Sequence, residues 1–199
     1  MSKSGEISRL SRIIKPNVGL ITNIGEAHIE NFKNIRGIAK AKSEIINNIS
    51  VNGTVILNRD DRFFNFLNKK AKSKNIKVIT FGMAKNADIH PIKIKKAEKK
   101  IQIYIKAIDE VVSLKIKNIN IYNVLSSLAV LKELRLNIDK VTQVYKNFEP
   151  SDGRGKIHKI KRYKKKFILI NESYNANPLS VKNAINNFSS IKKNKFKKY

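Results

Sequence analysis

Cysteine is absent from the sequence, and acidic residues are scarce, with 15 aspartates and glutamates against 42 lysines and arginines. Without cysteine there can be no disulfide, no thiolate nucleophile and no zinc site built from sulfur. Long apolar runs are lacking too, since none approaches the roughly 18 residues of a membrane span. The N-terminus, MSKSGEISRL, has no continuous apolar core of the kind found in signal peptides. We therefore expect a cytoplasmic protein.

A further absence concerns phosphate binding. The sequence has no G-x-x-x-x-G-K-[ST] string, whose backbone amides and lysine hold nucleotide phosphates in one large class of proteins. Its only Gly-Lys step is Gly155-Lys156, where Pro150 stands at the position of the first glycine and Ile157 at that of the hydroxyl residue. The 199 residues therefore predict no phosphate-binding loop of this kind.

The formal net charge of +27 raises the question of nucleic-acid binding, because such an excess is common in proteins that bind nucleic acids. The lysines are nevertheless scattered through almost every segment, together with asparagine and isoleucine. Local clusters occur at 93–100, 159–166 and 192–198, but no RNA-binding signature with interleaved aromatics accompanies them. A solvated basic surface that also favours anionic nucleotides is the preferred interpretation. A basic nucleic-acid-binding protein is the alternative.

Strand and helix signals alternate in the first part of the chain, which predicts an α/β fold with a parallel sheet. The apolar run Val18–Thr22 predicts an interior strand, and Asn34 can cap a helix that reaches Ile49. Asn52-Gly53 predicts a turn into the next strand. The elements expected after it are a strand at 54–57, a helix beginning at Asn58 or Asp60, and a strand at 76–81.

The apolar period changes to two between residues 87 and 116, which predicts an antiparallel meander forming a small sheet beside the parallel one. Helical spacing returns from Asn118 and again from Asp139. The polar, glycine-containing stretch EPSDGRG at 149–155 marks a domain boundary, giving domains at 1–149 and 150–199. In the second domain we expect strands at 157–163 and 167–170 and a helix from Pro178 to Ser190.

Of three further local features, the first two allow more than one interpretation. Lys42 lies on the apolar face of the helix after Asn34, so it either reaches solvent or pairs with a carboxylate such as Glu44, or it lies chemically altered in a ligand cleft. Asp60-Asp61 could bind a metal, but a helix-start cap is favoured. Residues 1–14 have apolar residues at helical spacing, at Ile7, Leu10 and Ile14, which predicts a helix packed on the sheet.

Three segments, TNIGEAH (22–28), GIAKAKSEII (37–46) and NESYNANP (171–178), resemble the Mur ligases, and the last resembles the branch that adds a dipeptide. The resemblance covers essentially the entire chain, which corresponds to the middle of such an enzyme. It implies the later part of the central ATPase domain, followed by the start of a Rossmann-like C-terminal domain. The reaction implied is the ATP- and Mg²⁺-dependent joining of D-alanyl-D-alanine to UDP-N-acetylmuramoyl-tripeptide in peptidoglycan synthesis.

The resemblance also implies roles for individual residues. His28 would help to bind magnesium, and Lys42 would be carbamylated and stabilise the metal site through its carbamate. The loop residues Arg154 and Glu172 would approach a cleft at the domain boundary, Arg154 facing the nucleotide phosphates and Glu172 its ribose. The remaining implied positions are Asn120 and Asn123 for the nucleotide base, and Tyr174, Asn175 and Asn177 near the substrate.

Because the phosphate-binding loop is missing, we expect the 199-residue chain to have no ligase activity alone. A separate polypeptide that carries this loop would be its partner in a split enzyme. Two other interpretations are left open: a non-catalytic remnant of a ligase gene, and the basic nucleic-acid-binding protein considered above.

Overall fold

The computed structural model describes residues 2–27, 29–96, 101–116, 120–162, 164–174 and 178–190. The chain divides into two compact units, Met1–Phe148 and Glu149–Tyr199. No helix among the described residues combines the length and the apolar character that crossing a bilayer requires.

The described residues of the first unit form six strands and five α-helices. The strands are β1 (Val18–Ile21), β2 (Thr54–Asn58), β3 (Lys77–Phe81), β4 (Ile89–Lys96), β5 (Ile101–Ala107) and β6 (Glu110–Ile116). The helices are α1 (Glu6–Ile14), α2 (Ile35–Lys42), α3 (Phe64–Lys72), α4 (Ile121–Glu133) and α5 (Ile138–Asn147), with short 3₁₀ helices at Ile29–Asn31 and Ser43–Asn48.

All six strands form one sheet in the order β1-β2-β3-β4-β5-β6. The first four strands pair with one another in parallel, and the pairs β4–β5 and β5–β6 are antiparallel. The α/β architecture with parallel and antiparallel parts is thus confirmed. The antiparallel strands extend the parallel sheet, and the pair Phe81–Ile89 joins the two parts. Both parts share one apolar core.

The inner strand β2 is buried on both faces, as its near-continuous apolar run predicts, whereas β6 alternates between buried and exposed residues. Successive residues of a strand point to opposite faces. Accordingly, Ile56 belongs to the core cluster shared with α4, and its neighbour Leu57 belongs to the cluster shared with α2 and α3. Phe81 and Ile105, which are fully buried, extend the α4 cluster across the junction into the antiparallel strands.

The predicted cap of the helix after Asn34 is confirmed, since the Asn34 side chain accepts a hydrogen bond from the Gly37 amide at 3.0 Å. The α-helix ends earlier than predicted, at Lys42, and continues as the 3₁₀ helix Ser43–Asn48. The Ser43 hydroxyl donates to the Lys40 carbonyl at 2.7 Å. Such side-chain bonds compete with regular helical bonding, and this one coincides with the change of helix type.

The predicted packing of α1 is wrong for Leu10 and Ile14, which are exposed, while Ser11 is buried. The helix is held by polar contacts to the 3₁₀ helix that follows α2. The Glu44 carboxylate accepts the amides of Gly5 and Ser8 at 2.8 and 3.0 Å, and the Asn48 side chain donates to the Ser11 hydroxyl at 2.9 Å. These bonds orient α1 with its polar side inward, which apolar periodicity alone could not indicate.

The second unit contains the antiparallel strands β7 (Lys156–Arg162) and β8 (Lys165–Asn171), followed by α6 (Pro178–Ser190). The predicted elements are present, although β8 is longer at both ends than expected. That these elements begin a Rossmann-like domain stays a prediction.

Candidate functional site

The carboxyl ends of β1, β2 and β3 lie at the same edge of the sheet, because these strands are parallel and in register. Open α/β sheets bind their ligands at this edge. The loops that leave it carry several polar side chains. They include Thr22 and Asn23 after β1, and Asp60 and Asp61 after β2.

Lys42 reaches this edge from α2. Its amine donates a hydrogen bond to the Asn23 carbonyl at 2.9 Å. Lys42 also lines a pocket with Ile7, Leu20, Ile21, Thr22, Asn23 and Ile45. Lys42 is not paired with Glu44, because the Glu44 carboxylate accepts backbone amides at the start of α1 instead. The Lys42 side chain is therefore turned toward the end of β1.

Burial lowers the pKa of the Lys42 amine below its usual value, and the charge of the Asp61 carboxylate opposes this shift. At a given pH a larger fraction of this amine is neutral than of a free lysine. A neutral amine is the form that reacts with carbon dioxide. His28, predicted to lie beside Lys42, is outside the described residues, so their proximity stays a prediction.

Asp61 is a site residue whose position the sequence did not reveal. One of its carboxylate oxygens accepts the Ile24 amide at 2.6 Å, which fixes the loop after β1. The other accepts the Phe63 amide at 2.8 Å, in the turn that precedes α3. The favoured prediction of a helix-start cap is wrong, because α3 begins at Phe64, later than Asn58 or Asp60, and no side chain caps it. Asp61 instead joins the ends of β1 and β2.

Asp60 connects the loop after β2 with two other segments. Its carboxylate accepts the amides of Met83 and Ala84 after β3 and the Tyr122 hydroxyl of α4, the last at 3.0 Å. Burial and the Asp60 carboxylate raise the pKa of Tyr122 to about 12. This contact brings the N-terminal end of α4 to the carboxyl edge of the sheet.

We expect Asp61→Asn to destabilise the first unit by about 1–3 kcal/mol, because one buried backbone amide loses its acceptor. The same change should lower the pKa of Lys42 further, since the opposing carboxylate charge is gone. Urea unfolding and NMR titration of the Lys42 amine measure the two effects. Asp109→Asn, at an exposed ion pair with Lys132, is the control and should leave both nearly unchanged. An unchanged Lys42 titration would contradict the assignment.

Asn120 and Asn123 lie at the start of α4. The Asn120 side chain accepts the Tyr122 amide at 2.9 Å and so caps the helix. Asn123, in the first turn, is exposed. Their contact with a nucleotide base stays a prediction.

Magnesium prefers oxygen ligands, and the Asp61 carboxylate, whose charge acts on Lys42, already accepts two backbone amides. No group of three or more metal-ligating histidine, cysteine, aspartate or glutamate side chains occurs in the described part of the chain. A charged lysine amine cannot bind a cation. Carbamylation would convert it into an anion with two oxygens, so the donor set fits magnesium only with Lys42 in that form.

In the second unit, two predicted loops meet. The Arg154 guanidinium lies over the Tyr174 ring at 4.1 Å, and the Tyr174 amide donates to the Gly153 carbonyl at 3.0 Å. The Gly155 amide donates to the Asn171 carbonyl at 2.7 Å. These backbone hydrogen bonds hold the two loops together and place Arg154 against Tyr174.

Two glycines make this approach feasible. Gly153 and Gly155 have φ of 75° and 90°, in the left-handed region that favours glycine. A Cβ at Gly153 would lie 2.9 Å from the Tyr174 Cβ, and one at Gly155 would lie 3.1 Å from Glu172 Oε1. Glu172 is thus also placed beside this loop.

Asp152 is a further residue that the sequence did not single out. Its Oδ1 accepts hydrogen bonds from the His158 ring at 3.1 Å and the Asn171 side chain at 2.8 Å. The contact from His158, followed by that from Asn171, lowers the pKa of the Asp152 carboxyl. The sequence patterns that mark buried core residues could not have identified Asp152, because its side chain is exposed.

Residues 1–131 match the family model described as the Mur ligase middle domain. The chain belongs to the Mur ligase family. A UDP-N-acetylmuramoyl-tripeptide--D-alanyl-D-alanine ligase of Rickettsia prowazekii is 30% identical over 189 residues, which are 93% of this chain and 41% of that protein. The protein of the same name from Bacillus subtilis is 29% identical over 194 residues, 93% of this chain and 39% of that protein.

Solved structures agree with this Mur ligase assignment. MurF from Acinetobacter baumannii superposes with a TM-score of 0.81 at 25% identity, covering 94% of this chain and 40% of that one. The fold is also shared with the MurF ligase of Thermotoga maritima in complex with ADP, with a TM-score of 0.78 at 22% identity, covering 94% and 42%. The chain thus spans about two fifths of the length of these relatives.

Of the Mur ligase positions implied by the resemblance, the structure places Lys42 at the end of β1 and groups Arg154, Glu172 and Tyr174 in the second unit. Residues 28, 175 and 177 lie outside the described residues. The expected cleft that Asn120 would share with the second unit stays a prediction.

Proposed function

We propose that this chain is part of a ligase that joins D-alanyl-D-alanine to UDP-N-acetylmuramoyl-tripeptide, with ATP and Mg²⁺ as cofactors of the complete enzyme. The observation that carries the proposal is the half-buried Lys42 amine held at the carboxyl end of β1. The names of the relatives supply the substrates. ATP and a UDP-linked precursor are cytoplasmic compounds, which supports a cytoplasmic address.

The carbamylation proposed for Lys42 is consistent with the burial of its amine. The neutral amine nitrogen attacks the carbon of carbon dioxide and then loses a proton, which leaves an anionic carbamate. Burial favours this reaction because it disfavours the protonated amine. The carbamate, together with His28, would hold Mg²⁺.

The groups of the second unit suit an anionic nucleotide. Arg154 offers a planar cation whose stacking on Tyr174 limits its rotamers, and in this proposal it faces the phosphates. Glu172 would accept hydrogen bonds from the ribose hydroxyls, and Asn120 and Asn123 would contact the base. Tyr174, Asn175 and Asn177 would lie near the substrate. When bound, ATP supplies the phosphoryl group that activates the tripeptide carboxylate, and Mg²⁺ neutralises charge that gathers in the transition state.

We expect ¹³C-labelled carbon dioxide to produce a carbamate NMR signal on the purified chain that rises with pH, as the Lys42 amine deprotonates. Lys42→Arg should abolish the signal and Lys40→Arg, on the exposed side of α2, should keep it. In a ligase completed with the remaining part of a relative, Lys42→Ala should lower product formation on the order of a hundredfold.

Lys40→Ala in the same completed ligase is the activity control and should change the rate little. A carbamate signal that survives Lys42→Arg would reject the role of this lysine. Normal product formation by the Lys42→Ala variant would do the same.

A further inference from the structure

The antiparallel strands of the first unit have one buried face and one open face. Ile103 of β5 pairs with Leu114 of β6, and both are buried in the core shared with α4. Successive residues of a strand point to opposite faces. Their neighbours Tyr104 and Ser113 therefore lie on the outer face, where every second residue of β6 from Val111 onward is exposed.

Four lysines determine the charge of this outer face. We call the residues that the strand register places there the basic face: Lys93, Lys95, Gln102, Tyr104, Lys106, Val111, Ser113 and Lys115. None of them is acidic. The nearby carboxylates of Asp109 and Glu110 both accept hydrogen bonds from the Lys132 amine, at 2.7 and 3.0 Å, so another lysine already balances them. The basic face thus presents an unbalanced positive charge.

An aromatic ring lies among these lysines. The Lys95 amine is 5.8 Å from the centre of the Tyr104 ring, and Lys93 is the residue opposite Tyr104 on β4. The Gln102 side chain donates to the Tyr104 hydroxyl at 3.0 Å and to the Ser113 hydroxyl at 3.3 Å, which holds the half-buried ring in place. The lysine cluster at 93–100 contains no aromatic residue in sequence. Strand pairing supplies the one that it lacks.

We infer that the basic face binds single-stranded nucleic acid, with the lysines on its phosphates and a base stacked on Tyr104. Lysines beside an aromatic ring are the combination that non-specific single-strand binders use. A nucleotide carries an anionic phosphate next to a flat base, and Lys95 and Tyr104 offer a cation next to a flat ring. A lipid headgroup would engage the lysines but has no ring to stack, and a duplex keeps its bases inside the helix.

The size of the basic face limits the length and the affinity of this contact. It extends about 13 Å along the strands and about 10 Å across them, which is room for a few nucleotides. We expect a Kd of about 1–100 µM at physiological salt, typical of non-specific binding. The basic face belongs to β4, β5 and β6, whereas Lys42 lies at the end of β1 on the opposite side of the sheet order. The inference is therefore independent of the proposed ligase function.

Fluorescence anisotropy of a short, fluorescein-labelled, single-stranded oligodeoxynucleotide of mixed sequence measures the binding. The face variant replaces the four lysines by glutamine: Lys93→Gln, Lys95→Gln, Lys106→Gln and Lys115→Gln. We expect it to bind at least about tenfold more weakly. The slope of log K against log salt should also become shallower by about 3, because four phosphate contacts are lost.

A control variant of equal net charge separates the basic face from the general charge of +27. It replaces four exposed lysines of α2, α3 and the turn after α3: Lys40→Gln, Lys69→Gln, Lys72→Gln and Lys74→Gln. We expect this variant to bind less than about threefold more weakly than the unchanged chain. Equal losses in the two variants would overturn the inference, because net charge alone would then explain the binding.

Two changes at Tyr104 test the stacking. Tyr104→Leu should weaken binding about fivefold or more, since stacking on the ring is lost. Tyr104→Phe keeps the ring and should bind within about twofold of the unchanged chain. Circular dichroism checks that each variant retains the fold. Equal binding by the leucine and phenylalanine variants would overturn the assigned role of the ring.

Vesicles of phosphatidylserine and phosphatidylcholine test the other anionic partner. Vesicle binding that the face variant loses, without binding of the oligonucleotide, would overturn the inference and assign the basic face to a lipid surface. Absence of oligonucleotide binding by the unchanged chain, with or without vesicle binding, would overturn it as well.

Discussion

The purified 199-residue chain should release no phosphate and form no product above background when incubated with ATP, Mg²⁺, bicarbonate, UDP-N-acetylmuramoyl-tripeptide and D-alanyl-D-alanine. Phosphoryl transfer depends chiefly on positioning and electrostatic stabilisation, and the sequence has no G-x-x-x-x-G-K-[ST] loop to hold the phosphates. Losing one preorganised donor costs on the order of a hundredfold in rate. The loop supplies several, so the expected loss is of several orders of magnitude.

The full-length Bacillus subtilis relative, assayed in parallel, shows that the substrates and the detection are adequate. Activity that appears only after a separate polypeptide with the phosphate-binding loop is added would support a split enzyme. Turnover by the chain alone at a rate near that of the relative would contradict the prediction, because the missing loop would then be dispensable.

Phe81→Ala should destabilise the first unit by about 3–5 kcal/mol, the usual cost of removing a buried phenylalanine side chain. Phe81 is fully buried, and its pairing with Ile89 joins β3 to β4. The cavity would therefore open where the parallel and antiparallel parts of the sheet meet. Urea unfolding followed by circular dichroism measures the loss.

Val51→Ala is the matched control, since Val51 is 92% exposed and its truncation should change the free energy of unfolding by less than about 0.5 kcal/mol. A loss below about 1 kcal/mol for Phe81→Ala would mean that the side chain does not fill the core. Hydrogen exchange that increases in β4 and β5 as well as β3 is expected, because these strands share one cluster.

Much of the fold could be predicted because it depends on local patterns. The apolar run of β1, the cap at Asn34 and the alternation along β5 each follow from a few neighbouring residues. The anomaly of Lys42 was equally visible, since a lysine on an apolar helix face needs an explanation. Its lowered pKa and its bond to the Asn23 carbonyl agree with that reasoning.

What the sequence determined by itself was the order and type of the elements, the Mur ligase motifs and the unusual position of Lys42. Tertiary structure alone decided that α1 turns its polar side inward, that Asp60 and Asp61 join separate loops, and that the antiparallel strands extend the parallel sheet. The physical reason is distance along the chain. Periodicity reports which side of an element is apolar, whereas a carboxylate is satisfied by whichever donors the fold brings to it.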